Sequence, residues 1–412
     1  MVISDKLLEL ANEAEIALKD RFAKFDEIAF KNTKKVLEAF SEERVAEAHF
    51  AGSCGYGYDD RGRDTLDRIY AKVFGKEAAL VRHTLISGTH TLSTGLFGLL
   101  RPGDTMLSVT GKPYDTLDEV IGIKNDGNSN GSLMNFGIVY KQIELTENGK
   151  VDIEKLVEIL KSEKIKVVYL QRSKGYLDRP TLPVSEMNEV YKAVKSVSDA
   201  YVFIDNCYGE FVEESEPDAD VIAGSLIKNP GGGMAETGGY LAGSAKAIEL
   251  ISYRLTSVGI GAEAGCTLNT MKSMYKGFFY APHTVAQALK TAAFSAYIFE
   301  KLGYHTNPSW NDERYDIIQA IHMLSGDKLC AFCRGIQAGS PVDAYVTPEP
   351  WDMPGYSDAV IMAAGTFTQG ASIELSADGP MKEPYIAYFQ GGLTYESGKI
   401  GILYAAQQVL DN

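Results

Sequence analysis

The chain has 412 residues, 45% of them apolar and 23% charged, a composition typical of a soluble globular protein with two or three domains. Its formal net charge of −15 argues against nucleic acid and anionic membranes as partners, because phosphate binding needs a basic face. The five cysteines are few and odd in number, and no segment is apolar over the length of a membrane span. We therefore expect a cytoplasmic protein.

The N-terminal segment has the pattern of a helical arm. Residues 4–40 place apolar side chains at helical spacing, interrupted by charge, which predicts one or two amphipathic helices that pack on another domain or subunit. We assign residues 1–49 to this arm. Residues 50–65 are rich in glycine and tyrosine and lack an apolar period, so we predict a loop there.

From about residue 76, short apolar runs alternate with helical patterns. The runs with strand character lie at 77–82, 105–111, 136–145, 164–171, 201–206, 220–228 and 238–243. Helical patterns separate most of them, which predicts an α/β architecture with a mixed, mostly parallel sheet. In open sheets of this kind, ligands bind at the carboxyl ends of the strands. We assign residues 50–284 to this large domain.

After about residue 284 the pattern changes. Residues 283–304 predict one long helix, and strand-like pieces follow at 317–323, 372–377 and 385–392. A final helix is predicted at 399–410. We interpret residues 285–412 as a second, smaller α+β domain.

Two motifs that resemble metal sites are incomplete. Asp126 and Asn128 match the start of a calcium-binding loop, but its twelfth position is Gly137 and not glutamate, so a polar turn is the better interpretation. Cys330 and Cys333 form a CxxC without a second pair or a nearby histidine, whereas a zinc site needs about four ligands. We predict no metal site.

Two polar features lie where predicted strands end. Ser87, Gly88 and Thr89 separate a strand from a helix, so their backbone N–H groups and the helix dipole could hold a phosphate. An ordinary helix start with a serine cap is the alternative. Tyr114 follows the strand at 105–111 and could stack on a planar ligand, although simple packing is a common role for such an aromatic side chain.

Two charged residues also end apolar runs. Asp205 closes the strand at 201–205, where a carboxylate is costly to bury without a partner. It could pair with a protonated ring nitrogen, or instead cap a helix or join an ion pair. Lys228 ends the next run, where a desolvated lysine has a lowered pKa and can form a Schiff base, although an isolated lysine is usually a solvated surface residue. Ser225 could share the phosphate, and three glycines at 231–233 could let the backbone pass close to a ligand.

Taken together, these residues match the needs of one kind of molecule. A planar phosphorylated aromatic aldehyde requires an amine for its carbonyl, an acid for its ring nitrogen, a ring to stack on and donors for its phosphate. Pyridoxal 5′-phosphate has this combination of groups.

At this point the sequence resembles the fold-type I pyridoxal-phosphate enzymes of cysteine and methionine metabolism, which include cystathionine γ-synthase, cystathionine lyases and methionine γ-lyase. More narrowly, it is similar to the branch called methionine γ-lyase family or aluminium resistance protein. The resemblance covers about residues 50–412 and is sharpest in SGTHT, FIDNCYGEF and GSLIKNPGGGMAETGGYLAG.

The resemblance implies roles for the residues above. Lys228 would carry the cofactor, Asp205 would pair with the pyridinium, and Tyr114 would stack on its ring. The phosphate would be bound by Ser87, Gly88, Thr89 and Ser225. In this family a Tyr-x-Arg motif from a neighbouring subunit completes the phosphate site, which implies a homotetramer with shared active sites. Tyr58 matches that tyrosine, but Asp60 occupies the arginine's place and Arg61 follows one residue later.

The sequence departs from the family pattern at two further points. Ile227 replaces the hydroxyl residue that commonly precedes the lysine, and Tyr388 lies near the position of the arginine that binds the substrate α-carboxylate. We expect Arg172 to supply that charge, with Gln390 as an uncharged helper.

The implied activity is that of a carbon–sulfur lyase. Lys228 would act as general base, and Tyr114 as the acid toward the leaving sulfur. We predict methionine γ-elimination to a thiol, a 2-oxo acid and ammonia. The alternatives are γ-replacement, as in cystathionine synthesis, another pyridoxal-phosphate reaction, or a non-catalytic pyridoxal-phosphate binder with a regulatory or protective role.

Overall fold

The computed structural model describes residues 2–124, 130–353, 356 and 358–412. Asp126 and Asn128 lie outside the described residues, so the polar turn predicted there stays a prediction.

The N-terminal arm consists of helices α1 (Asp5–Ala17) and α2 (Lys19–Glu42), which confirms the helical pattern of this segment. In α1 the buried side chains are Leu7, Ala11 and Ala14, spaced by three or four residues. This spacing places them on one face of the helix, which packs on the rest of the protein.

The large domain alternates helices and strands, as the sequence pattern predicts. Its elements are α3 (Arg61–Val73), β1 (Ala78–Arg82), α4 (Gly88–Leu99), β2 (Thr105–Ser108), α5 (Thr116–Ile121), β3 (Val139–Gln142), α6 (Ile153–Ser162), β4 (Val167–Gln171), α7 (Val184–Val197), β5 (Tyr201–Asp205), β6 (Val221–Ser225), β7 (Gly239–Gly243) and α8 (Ala245–Leu255).

The strands of this domain form one mixed, mostly parallel sheet in the order β1-β7-β6-β5-β4-β2-β3. Among the described strands of this sheet, β7 alone runs in the opposite direction to the others, so its pairings with β1 and β6 are antiparallel. Every residue of β4 and β6 is buried, because helices cover both faces of the sheet. The register sets Gln171 beside Asp205 and Asp205 beside Ala223, so the carboxyl ends of β4, β5 and β6 meet at one edge.

A long helix and a second sheet complete the chain. The elements are α9 (Met271–Lys301), β8 (Thr306–Asn307), β9 (Gln319–His322), α10 (Gly326–Ala338), β10 (Val360–Ala363), β11 (Ser376–Pro380), β12 (Ile386–Gln390) and α11 (Tyr395–Asp411). The strands lie in the order β10-β11-β12-β9-β8, with every neighbouring pair antiparallel. The fold is therefore α/β with a smaller α+β part at the C-terminus. Helix α9 crosses the predicted boundary at residue 284, which stays a prediction.

The sequence pattern was least informative in the C-terminal part. Helix α10 was not predicted, in part because Gly335 weakens its helical signal. An added Cβ there would lie 2.3 Å from the Cα of Ala405 in α11, so close packing of the two helices requires glycine. The strand predicted at 372–377 was wrong over most of its length. Glu374 in that stretch instead accepts hydrogen bonds from the backbone N–H groups of Phe367 and Thr368, at 2.9 and 2.8 Å.

No helix within the described residues has the length and apolar character needed to cross a membrane.

Candidate active site

A cavity of about 210 Å³ lies between the two sheets. One wall is formed by the N-terminus of α4 and the carboxyl ends of β4, β5 and β6. The opposite wall comes from the small sheet, through side chains of β10, β11 and β12. This is the place where open α/β sheets bind their ligands.

The segment Ser87–Gly88–Thr89 lines the cavity at the start of α4, together with Ser225 at the end of β6. The Ser87 hydroxyl oxygen accepts a hydrogen bond from the backbone N–H of His90, at 3.0 Å, and so acts as the N-cap of α4. The other N–H groups of the first turn have no partner within the helix, as at any helix start. The structure therefore brings together the residues predicted to bind a phosphate.

Asp205 and Lys228 also line the cavity. A carboxylate oxygen of Asp205 accepts a hydrogen bond from the backbone N–H of Cys207, at 3.1 Å. Burial raises the pKa of Asp205 above its ordinary value, while the Lys228 ammonium acts in the opposite direction. The carboxyl is thus held in a dry site, where a cationic partner would favour its ionised form.

The Lys228 amine lies 3.9 Å from the ring centroid of Tyr208, within the range of a cation–π contact. Burial alone would lower the pKa of Lys228, but Tyr208, Cys207 and Asp205 raise it above its ordinary value. The lowered pKa expected from the sequence is therefore wrong for this arrangement of side chains. The three neighbours outweigh the effect of burial.

The glycines after Lys228 have a different role from the one predicted. They do not line the cavity. An added Cβ at Gly231 would lie 1.6 Å from the carbonyl oxygen of Leu226, and one at Gly232 would lie 2.3 Å from the carbonyl oxygen of Gly277 in α9. The segment needs glycine because its backbone packs tightly against neighbouring backbone, which fixes the position of Lys228.

Tyr114 lines the cavity, where its hydroxyl shares a 2.8 Å hydrogen bond with that of Tyr356. Burial raises the pKa of Tyr114 well above its ordinary value, so the phenol keeps its proton at neutral pH. Its ring meets Tyr176 edge to face, with centroids 5.8 Å apart. Sequence reasoning missed Tyr176 and Tyr356 because both come from irregular segments without a period.

Arg172 does not have the position predicted for it. Gln171 and Ser173 line the cavity, and Arg172 between them points to the opposite side, as side chains alternate along an extended chain. Arg172 is fully buried, and its guanidinium forms ion pairs of 2.7 Å with Glu213 and 3.4 Å with Glu216. Its charge is therefore already neutralised. The structure thus corrects the prediction that Arg172 binds the carboxylate of a substrate.

Gln390 does line the cavity, where its amide nitrogen donates a 3.1 Å hydrogen bond to the Ser376 hydroxyl. A second residue of the same sheet, Asp378, also lines it and was missed. The signal was available, because Asp378 is an isolated acid within a buried strand, as Asp205 is.

Tyr58 and Arg61 lie outside the cavity of their own chain. Tyr58 is 56% exposed and stacks on Tyr56, and the Arg61 Nε donates a 3.1 Å hydrogen bond to His49. The Asp60 carboxylate caps α3 by accepting a 2.9 Å hydrogen bond from the backbone N–H of Arg63, which explains an acid at this position. The predicted sharing of the site between subunits stays a prediction.

The cavity fits pyridoxal 5′-phosphate. It presents an amine, a buried carboxyl, aromatic rings and a helix N-terminus with neighbouring hydroxyls. It also contains a buried acceptor, Gln171 Oε1, that has no hydrogen-bond partner among the described residues. Lys228, Asp205, Tyr114 and the phosphate-binding segment are the groups that would hold the cofactor. No cluster of histidine, cysteine and acidic side chains suited to a metal occurs in the described part of the chain.

Comparison with known proteins leads to the same assignment. A family model described as Methionine gamma-lyase matches residues 7–410. The chain belongs to the methionine gamma-lyase family. Membership makes it a pyridoxal-phosphate-dependent carbon–sulfur lyase whose substrate is a small molecule, an amino acid.

Several known proteins resemble the chain over nearly its full length. The uncharacterized protein YnbB of Bacillus subtilis (strain 168) is 53% identical over 408 residues, which cover 98% of this chain and 96% of YnbB. A crystal structure from Clostridium acetobutylicum, of a proposed cystathionine beta-lyase involved in aluminum resistance, is 50% identical with a TM-score of 0.95 and covers 98% of this chain and 96% of that one. A carbon-sulfur lyase involved in aluminum resistance from Clostridium novyi NT is 52% identical, with a TM-score of 0.94 and coverage of 98% and 96%.

Proposed function

We propose that this enzyme eliminates a thiol from a thioether amino acid, leaving a 2-oxo acid and ammonia. One observation carries the proposal: a single cavity contains Lys228, Asp205, Tyr114 and the start of α4. Methionine γ-elimination is the form that the sequence predicts. Elimination from cystathionine is the second candidate, because the similar Clostridium acetobutylicum protein is described as a proposed cystathionine beta-lyase.

Different residues of the cavity would bind the cofactor and move protons. Ser87, Gly88, Thr89 and Ser225 would bind the phosphate, and Asp205 would pair with the ring nitrogen. Bound pyridoxal phosphate supplies an electron sink that makes the Cα–H of an attached amino acid acidic. Pairing of Asp205 with the ring nitrogen removes one of the groups that raise the pKa of Lys228. Tyr208 and Cys207 still act to raise that pKa, so only the neutral form of the Lys228 Nζ would take the proton from Cα.

Tyr114 is placed to complete the elimination. Its phenol is protonated at neutral pH because burial raises its pKa, so it can donate a proton to the sulfur as the C–S bond breaks. The electron pair of that bond leaves with the sulfur, which becomes a neutral thiol. In a β-elimination that pair is replaced by the pair left at Cα, whereas in a γ-elimination Lys228 would also have to remove a proton from Cβ. The hydrogen bond to Tyr356 orients the Tyr114 hydroxyl and offers a route for its reprotonation.

The proposal is tested by trapping the cofactor. Borohydride reduction of the holoenzyme followed by peptide mapping should find a pyridoxyl group on Lys228. Lys174 is a demanding internal control, because it is a second buried lysine whose pKa burial lowers to about 8, yet it lies outside the cavity and donates to the Asn307 carbonyl oxygen. A label on Lys174, or no label, would contradict the proposed site.

The reaction is tested by titrating the holoenzyme with methionine, cystathionine and cysteine while absorbance, thiol and 2-oxo acid are measured. We expect changes in the chromophore together with release of thiol and 2-oxo acid from at least one thioether. Formation of a new thioether in the presence of an added thiol would favour γ-replacement. A bound chromophore that responds to no amino acid would favour the non-catalytic binder.

We also propose that the active site is completed by a neighbouring subunit in a homotetramer. Support comes from exposed apolar side chains near Tyr58, which include Tyr56 and Leu268. The loop that carries Tyr56 is joined to residues 265–268 by backbone hydrogen bonds, so these side chains belong to one surface. Mixing Lys228→Ala with Arg61→Ala subunits should restore part of the activity, because some sites then receive both native residues. Absence of any recovery in mixed tetramers would contradict shared sites.

A further inference from the structure

The small sheet presents one charged residue to the cavity. Asp378 lies in β11, where the strand register places it between Met362 of β10 and Tyr388 of β12. All three side chains line the cavity, so this row forms the wall opposite Lys228. Asp378 is only 5% exposed, and its carboxyl forms no ion pair with any described residue.

The other charged groups of the cavity already have roles. Within the described lining, these are Asp205 and Lys228, and no arginine is among them. In the proposed site, Asp205 would pair with the ring nitrogen of the cofactor, and Lys228 would bind its carbonyl group. Asp378 is therefore left facing the space that the amino-acid side chain would occupy.

A buried carboxylate in this position favours a cationic ligand. An unpaired buried charge is costly, and an oppositely charged partner removes much of that cost. The neighbouring side chains Tyr114, Tyr176 and Tyr388 are phenols, which offer hydrogen bonds but no positive charge. An anionic group on the substrate would instead be repelled. Burial raises the pKa of Asp378 to about 7, while Tyr176 and the Lys228 ammonium act in the opposite direction without reversing the shift, so a closer cation would further favour the ionised carboxyl.

We propose that Asp378 determines specificity by binding an ammonium group in the leaving half of the thioether substrate. The inference rests on the proposed function, because it assumes that the α-amino group of the substrate is bound at the cofactor beside Lys228. A second ammonium group, in the leaving half, is then available to Asp378. It favours substrates whose leaving group is an aminothiol without a carboxylate, such as S-(2-aminoethyl)-L-cysteine, over methionine, whose leaving group carries no charge.

Amino acids without sulfur test binding separately from catalysis, because they cannot undergo the elimination. L-Lysine, L-2-aminoheptanoate and L-2-aminoadipate have side chains of similar length that end in a cation, a methyl group and an anion. We expect calorimetric titration of the holoenzyme to give a Kd for lysine about tenfold or more below that for aminoheptanoate, which corresponds to about 1.4 kcal/mol or more. The Kd for aminoadipate should be the highest of the three.

Two variants test whether Asp378 causes the preference for lysine over aminoheptanoate. Asp378→Asn keeps the size of the side chain and should bring the Kd values of lysine and aminoheptanoate within about threefold. Met362→Leu changes the neighbouring residue in the same row without changing charge and should keep the preference for lysine. Retained cofactor absorbance verifies that both variants keep a formed site.

The outcomes separate the two proposals. Equal affinity for lysine and aminoheptanoate in the native enzyme, or a preference that survives in Asp378→Asn, overturns the role of Asp378. Thiol release from S-(2-aminoethyl)-L-cysteine, S-propyl-L-cysteine and methionine tests the lyase reaction independently, in its β- and γ-forms. If none of the three thioethers yields thiol while the charge preference in binding is lost in Asp378→Asn, the role of Asp378 stands and the proposed reaction fails.

Discussion

The buried Glu210 provides a sharp test of the electrostatics of this fold. One of its carboxyl oxygens accepts a 2.8 Å hydrogen bond from the Tyr240 hydroxyl, and the other has no partner among the described residues. Burial, together with the nearby Glu216 carboxylate, raises the pKa of Glu210 to about 8 from its ordinary 4.5. We expect Glu210→Gln to stabilise the protein at alkaline pH, because it removes a buried charge and keeps an acceptor for Tyr240.

The size of the effect follows from proton linkage. Between pH 4.5 and 8 the unfolded chain has lost the Glu210 proton while the folded protein keeps it, so folding takes up a proton and stability falls as pH rises. Each pH unit in this window costs about 1.4 kcal/mol. From about pH 6 to about pH 9 the native protein should therefore lose about 3 kcal/mol that Glu210→Gln does not lose.

Urea denaturation of the native protein and the variant at both pH values measures this difference. Glu189→Gln, at an exposed position of α7, is the matched control and should follow the native protein at both pH values. Parallel pH profiles for the native protein and Glu210→Gln would refute the reasoning, since they would mean that Glu210 is ionised throughout.

Two further substitutions test how the elements are joined. Gly335→Ala should lower the free energy of unfolding by about 1–3 kcal/mol, because its Cβ would meet the backbone of Ala405 in the helix packed against it; an unchanged urea midpoint would show that α10 and α11 can separate at little cost. Asp60→Ala should cost about 1–3 kcal/mol at neutral pH, because its carboxylate caps α3 and accepts a 2.6 Å hydrogen bond from Thr267. Burial would raise the pKa of Asp60, but these hydrogen bonds lower it, so the cost of the substitution should shrink as pH falls below about 3.8; a cost that is constant with pH would contradict this account.

The cofactor-facing half of the site was predictable because each of its residues ends a recognisable strand or begins a helix. Asp205 and Lys228 follow apolar runs, and the carboxyl ends of parallel strands meet at one edge of the sheet. The position of a strand end does not give the direction of a side chain, however. Arg172 was misassigned for this reason, although alternation from Gln171 already indicates the opposite side.

The substrate-facing half was harder to predict, because it is assembled by tertiary folding. Tyr176 and Tyr356 lie in irregular segments whose course depends on packing rather than on a local period. Asp378 is recognisable in the sequence as an isolated acid in an otherwise uncharged strand, but the neighbours of that strand are distant in sequence, so only the register reveals that it faces the cavity. Long-range pairing of this kind leaves little trace in a single sequence.

Helix α9 has a consequence for how ligands enter. Its N-terminal half supports the glycine segment after Lys228, and its later turns contact β9, β12 and α11 of the small domain. Because one continuous helix supports both walls of the cavity, bending one domain away from the other would require breaking its core contacts. The distance between the walls is therefore held by the packing of α9, and we expect it to limit the length of the amino acid that the cavity accepts.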